Sequence, residues 1–298
     1  MAFRFKRRES IRDGVRRIAD EQIGKAIEEL DEPDLSDAEK VHQVRKRCKK
    51  LRGLIRLVRP GFEEVYQQEN AWFRDTARDL STLRDSKTII DAFDGLMERF
   101  GDEVNRSEFE TIRQELVTRR EQLQQEQIDL LQRLETARER MQQARDHIDG
   151  WNGGINRKAL AAGLTKTYER CRRDLKQARK SPTPEALHEW RKRVKYHWYH
   201  IRLLENAWPE MFVAVGEVAK RVSDQLGDDH DLAVLRSTLL GDAEAFGGPE
   251  RIEQLADLID RRRGQLQKRA FREGRRLFCE KPKRFSDRWM RYWDEWRG

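Results

Sequence analysis

The stretch Val41 to Arg59, VHQVRKRCKKLRGLIRLVR, carries eight Lys or Arg residues and no acid. On a helical wheel of roughly 100° per residue, His42, Arg45, Lys49, Arg52 and Arg56 share one stripe about 80° wide. Val44, Cys48, Leu51, Ile55 and Val58 lie on the opposite side. Only a helix satisfies both patterns, with one face in a core and the other presenting a row of cations. The constraint doubles when the chain is shifted by 146 residues, which lays this segment without a gap on residues 187–205. His42 falls on His188, Arg45 on Arg191, Lys46 on Lys192, Arg47 on Arg193, Lys49 on Lys195 and Arg56 on Arg202. The same shift carries Arg74 to Lys220, Leu80 to Leu226, Asp85 to Asp231 and Ile89 to Leu235. Lys and Arg make up 62 of 298 residues, so one or two matches would be chance, but this many at a single offset predict an internal duplication of a helical unit.

The rest of the composition suits that plan. Charged residues are 39% of the chain, hydrophobic residues 37%, and there are only seven Pro. A highly charged, Pro-poor chain with helical periodicity reads as all-α with long solvated faces. Eight Trp and regular Leu, Ile and Val spacing argue for a packed protein rather than a disordered one. Bases exceed acids by a net +8, which favours a polyanionic partner such as nucleic acid, polyphosphate or an anionic membrane surface. Cys48, Cys171 and Cys279 are odd in number and widely spaced, as free thiols in a reducing compartment are. The opening MAFRFKRRES has no apolar run behind it, and no segment has the length of a membrane span, so a cytoplasmic protein off the membrane is expected.

Read in order, the spacing predicts helices over about 9–30, 36–59, 62–81 and from Asp85-Ser86 to about 100. Ser36 with Glu39 forms a capping box for the second. Residues 107–148 lack Pro and Gly and repeat Leu116, Leu123, Leu130, Ala137 and Ala144 at intervals of seven, which predicts one long helix of coiled-coil character. Gly150 to Gly154 (GWNGG) marks the midpoint and divides a single domain into halves 1–149 and 150–298. Helices are then expected over 155–180, from Thr183-Pro184 to about Ala207, over 209–226, 229–240 and 249–279, followed by a Trp-rich tail.

A duplicated pair of helices can bring two cationic stripes together across a pseudo-two-fold axis. Facing stripes repel in a partly desolvated groove and become favourable when a multivalent anion lies between them. Arg supplies bidentate hydrogen bonds to phosphate oxygens and Lys a mobile point charge. A linear polyanion is the natural ligand, and no reaction chemistry or cofactor is required.

The pattern His-x-x-Arg-x-x-x-(Lys/Arg)-(Lys/Arg)-x-Arg, duplicated in a helical chain of this length, resembles the CHAD family, the conserved histidine α-helical domain. Leu80-Ser-Thr-Leu-Arg84-Asp85 and Leu226-Gly-Asp-Asp-His230-Asp231 resemble the signature that follows it, and Ser10 to Arg17 resembles the family's start. The resemblance implies two pseudo-two-fold-related four-helix bundles, inorganic polyphosphate bound in a central basic groove or pore, and association with polyphosphate granules. It points to His42, Arg45, Lys49, Lys50, Arg52, His188, Arg191 and Lys195. Arg56 and Arg202 continue the stripes, and Arg12, Arg16, Lys166, Arg170 and Arg173 are candidates to extend them, with hydroxyls from Tyr168 or Tyr199. The chain departs from the family pattern in three places: Trp198 stands where the first copy has Arg52, Ser81 replaces a Gly, and His230 replaces an Arg.

Other readings are weaker. Tyr196, Trp198 and Tyr199 beside the second stripe could stack nucleic-acid bases, but the first stripe has no aromatic residue. His230-Asp231 invites comparison with a metal-dependent phosphohydrolase, which needs further His and Asp ligands, whereas the first copy offers Arg84-Asp85. His197 and His200 project to the core side, and His147 reads as solvated. Arg261 to Arg263 and Lys281 to Arg284 read as solvated charge runs. No P-loop, nucleophile elbow, dinucleotide loop or paired-acid arrangement is present.

Overall fold

The computed structural model describes residues 3–80, 82–125 and 129–298, with side chains except those of 82–86 and 123–125. Among these residues there are eleven α-helices and no strand. They are α1 (Ile11–Asp31), α2 (Asp37–Val58), α3 (Glu63–Asp79), α4 (Thr82–Arg99), α5 (Glu110–Gln125) and α6 (Leu130–His147). There follow α7 (Arg157–Lys180), α8 (Pro184–Leu204), α9 (Pro209–Gly241), α10 (Pro249–Leu277) and α11 (Pro282–Arg297).

Local chemistry accounts for the helix starts. The Ser36 side chain accepts from the Glu39 N–H and Glu39 reaches back to the Ser36 N–H, the reciprocal box the sequence predicted. Thr183 caps α8 by accepting from the Ala186 N–H, with Pro184 in the first turn. The helix boundaries also recur. α1, α2 and α3 begin at residues 11, 37 and 63, and α7, α8 and α9 begin at 157, 184 and 209. α2 and α8 end at 58 and 204, each followed by a three-residue 3₁₀ turn.

Two apolar cores hold the molecule, and both are shared across the Gly150–Gly154 segment. The central core joins the two halves, with Val15, Ile18 and Ile23 of α1, Leu51 and Ile55 of α2, Leu164 and Tyr168 of α7, Trp190 of α8, and Trp289 and Trp293 of α11. The second core packs Phe93, Leu96 and Met97 of α4 and Ile112 of α5 against Leu235 of α9 and Leu255 and Ile259 of α10. Each core therefore draws on both halves.

Four sequence expectations change. The single helix over 107–148 is two, because its heptad positions serve different cores: Leu116 faces the second, while Leu134, Ala137, Met141 and Ala144 bury against the first. The expected break between 226 and 229 does not exist, and α9 runs unbroken for 33 residues. Gly227 is a notch rather than a breaker, since a Cβ there would stand 3.0 Å from the Arg191 guanidinium. The Trp-rich tail is the amphipathic helix α11, which buries Trp289 and Trp293. Asp85 lies inside α4 instead of capping it; the side chains of Arg84 and Asp85, and Ser81 altogether, lie outside the described residues.

Candidate functional site

α2 and α8 meet at Gly53. A Cβ on Gly53 would lie 2.9 Å from the Tyr199 ring, so only glycine lets the second helix approach this closely. On the same backbone, the Gly53 carbonyl lies 3.1 Å from His200 Nε2, which must carry the proton to donate to it. Three residues further along α2, the Arg56 guanidinium lies 4.2 Å from the centre of the Tyr196 ring. Residue numbers rise along α2 as they fall along α8, so the pair is antiparallel and overlaps over its C-terminal halves. The antiparallel overlap therefore brings the C-terminal end of each stripe, Arg56 and Arg202, beside the other helix. From Gly53 back to His42, α2 extends a further ~16 Å at about 1.5 Å per residue.

Along the first stripe, His42 is exposed and Arg45 donates to the Ala77 carbonyl of α3. Arg52 Nε and an Arg56 terminal nitrogen share the Asn70 side-chain oxygen at 3.2 and 3.3 Å. Lys49, between Arg45 and Arg52 in the stripe, is half-buried. Where the stripe reaches the junction it gains Arg59 and, from α7, Arg170. Burial first, then the charges of Arg193, Arg56 and Arg59, lower the pKa of Arg170. Glu63 pairs with Arg59 at 2.6 Å and is held below its ordinary range by that hydrogen bond, with Lys166 and Arg170 adding to it.

Along the second stripe, the rings of His188 and His230 lie 4.4 Å apart, and burial, followed by His230, Lys192 and Arg191, pushes His188 down to about 4. Its imidazole is thus neutral near pH 7, able to donate one N–H. The Arg191 guanidinium sits against Gly227. Trp198, in the place of Arg52, lies between two cations, with Lys195 Nζ at 4.5 Å and the Arg202 guanidinium at 5.3 Å from its ring. At the junction Arg202 meets Lys46 and Lys50 of α2 and Lys25 of α1. Burial and then Arg47, Arg202, Lys46 and Lys25 push Lys50 down to about 7, and Lys46 is lowered by burial, Arg47, Arg202 and Lys25. Each end of the overlap thus gathers cations from both halves, and their charges add to burial in lowering the proton affinity of Lys46, Lys50 and Arg170.

Several candidates take other places. Lys50 stays at the junction but is only 8% exposed, with its ammonium 5.5 Å from the Phe3 ring centre. Tyr199 is 3% exposed because it fills the Gly53 notch, and Tyr168 donates to the Leu277 carbonyl from the central core. Arg12 donates to the Gly153 carbonyl, and Arg16 to the carbonyls of Asp149 and Trp151 and the side chain of Asn152. These two arginines tie α1 to the Gly150–Gly154 segment and do not extend the stripe. Arg173 pairs with Asp174. Lys166 is exposed beside Glu63. Arg47 and Arg193, equivalent under the repeat, each anchor their helix to an acid of the preceding one, Glu29 and Asp174. His147 is half-buried with Nδ1 3.3 Å from Glu69, not solvated as the sequence suggested. His197 and His200 are in the core as expected, and burial lowers both to about 3. Lys25, Lys46 and Arg59 were not singled out for the site. Lys46 and Arg59 neighbour the α2 stripe in sequence, whereas Lys25 comes from α1 and carries no such hint.

Beyond the N-terminal end of α2 lies a cavity of about 1020 Å³, lined by His42, Lys87, Arg120 and Arg262 together with Asp91, Asp228 and Asp231. Burial and the neighbouring Asp231 raise the pKa of Asp228. Among the described residues no three His, Cys, Asp or Glu side chains converge as a metal site, and no helix is long and apolar enough to cross a membrane.

Fold and geometry together define a class: an all-α protein organised around two antiparallel cationic helices. The family model described as CHAD domain matches residues 17–240, and the chain belongs to that family, which is associated with polyphosphate binding. No curated protein matches the chain.

Proposed function

We propose that this protein binds inorganic polyphosphate without turning it over, along the joined cationic face of α2 and α8. We read the recurrence at 146 residues as an internal duplication whose pseudo-two-fold axis passes near Gly53. The observation that carries the proposal is the junction itself. Arg202 with Lys46, Lys50 and Lys25 at one end, and Arg56 with Arg59 and Arg170 at the other, are like charges held together in partly buried surroundings. A linear polyanion relieves that repulsion all along the face, and a small anion relieves it at one point. His42, Arg45, Lys49, Arg52 and Arg56 form one arm of the face, and His188, Arg191, Lys195 and Arg202 the other. The aromatic residues beside the second arm favour polyphosphate over stacked bases, since Tyr196 and Tyr199 are buried and Trp198 lies between two cations. Association with polyphosphate granules follows from the same affinity.

Titration with polyphosphate of defined length at two salt concentrations tests this. Affinity should fall steeply with salt as counterions are released on binding. Lys49→Ala with Lys195→Ala should weaken binding at least tenfold while the circular dichroism stays helical. Full affinity in the folded double variant, displacement of polyphosphate by single-stranded RNA at equal phosphate concentration, or phosphate release in the presence of divalent metals would each overturn the reading.

A further inference from the structure

The second half of α10 carries a run of cations that belongs neither to the α2/α8 face nor to the matched region, which ends at residue 240. Between Arg261 and Cys279 the only acid is Glu273. The start of this run is engaged: Arg261 pairs with Glu103 at 2.7 Å and Arg263 with Asp229 at 3.2 Å. From Lys268 onward the situation reverses. Lys268, Arg269, Arg272, Arg275 and Arg276 are all exposed, and none makes an ion pair within the described residues. Five such cations within nine residues make a dense patch of unmatched positive charge. They cover about 12 Å of helix.

The other side of α10 fixes where this row points. Ala270 and Gly274 are buried, Phe271 stacks on Trp190 with ring centres 5.5 Å apart, and a Cβ on Gly274 would collide with the Trp190 ring at 2.5 Å. Trp190 is on the core side of α8, opposite its cationic stripe. α8 therefore stands between the two basic surfaces, and the α10 row faces away from the α2/α8 junction.

The row also borders a recess. A cavity of about 650 Å³ is lined by Lys268, Arg269, Arg272 and Arg275 with Gln225 of α9 and Gln265. The side-chain oxygens of both glutamines are buried without a hydrogen-bond partner. An amide turned about its last bond replaces a buried acceptor with a donor, so both can present N–H groups to an incoming oxygen anion. Glu273 also borders the recess, its carboxylate 3.6 Å from Arg221.

We propose that the α10 row is a second polyphosphate-binding site, so that one molecule holds two separate segments of the polymer on opposite sides of α8. The inference rests on the reading of the α2/α8 face as a polyphosphate site and adds its valence. Four arginines suit bidentate contact with phosphate oxygens. The one aromatic of this segment on α10, Phe271, is turned inward against Trp190, so the row offers no platform for bases. A molecule with two such faces crosslinks long chains and condenses them.

Calorimetric titration of the full chain with a short polyphosphate, and light scattering with a long one, test the proposal. Wild type should bind two short chains and form large assemblies with the long polymer. Lys268→Glu with Arg272→Glu and Arg275→Glu, all at exposed positions, should reduce the stoichiometry from two to one and abolish the assemblies. Lys49→Ala with Lys195→Ala should retain the α10 site alone. If wild type binds one chain and the α2/α8 variant loses it, the valence inference is wrong while the proposed function stands. Two chains bound by the folded α10 variant would also overturn it. If binding is lost only with the α10 substitutions, the α2/α8 reading fails and the α10 site stands alone. Binding of RNA but not polyphosphate at the α10 row would overturn its assignment.

Discussion

Gly53→Ala is the sharpest probe of how the cationic face is assembled. The added Cβ would approach Tyr199 at 2.9, 3.0 and 3.2 Å, against an ordinary contact of about 3.5 Å or more. Because the obstacle is a ring packed in the core, relief must come from moving α8 away from α2 by several tenths of an ångström. Overpacking of this kind costs about 1–3 kcal/mol. The His200 bond to the Gly53 carbonyl, now 3.1 Å, would stretch as the helices part. Thermal unfolding should show a midpoint lower by a few degrees. Polyphosphate affinity should fall as well, although no cation has been touched, because Arg202 and Lys50 separate. Tyr199→Leu made in the same chain should recover part of both losses, and the coupling can be read from a double-mutant cycle. A Gly53→Ala protein with unchanged stability and affinity would refute the close antiparallel junction and the continuity of the two stripes with it.

Lys50 makes binding pH-dependent. Its ammonium loses a proton near pH 7 in the free protein, and a bound polyanion favours the charged form. Binding above neutrality should therefore take up a proton, and affinity should fall as pH rises past about 7, measured by titration in buffers of different ionisation enthalpy. The folded-state pKa lies below the ordinary lysine value, so between about 7 and that value the unfolded chain holds more protons and this group makes stability rise with pH. Lys50→Met should flatten both profiles. Arg16→Ala removes the donor to Asp149, Trp151 and Asn152, so proteolysis near Gly150–Gly154 should quicken while polyphosphate affinity stays within twofold. A large loss of affinity would return Arg16 to the binding face.

Much of this arrangement can be read one helix at a time. The 3.6-residue period separates Leu51 and Ile55 from Arg52 and Arg56, and the Ser36–Glu39 and Thr183–Pro184 signals are local chemistry that carries over intact. The assignment of His197 and His200 to the core rests on the same angular reasoning. It fails where the deciding partner is distant in sequence. Arg12 and Arg16 look like surface cations until carbonyls some 135 residues away accept their hydrogen bonds. Lys50 lies off the stripe by angle, and what covers it, Phe3, comes from the segment before α1. Gly227 looks like a helix break because its purpose, room for Arg191, lies on another helix.

By itself the sequence determined that this protein is all-α, that one cationic helix occurs twice, and which side chains share each stripe, because all three depend on periodicity within a segment. Tertiary structure decided that the two cationic helices cross antiparallel at Gly53, and which of their cations are buried. It also decided that α10 turns a second unmatched row outward. These depend on which surfaces approach across the fold, and a helical wheel has no coordinate for a neighbour.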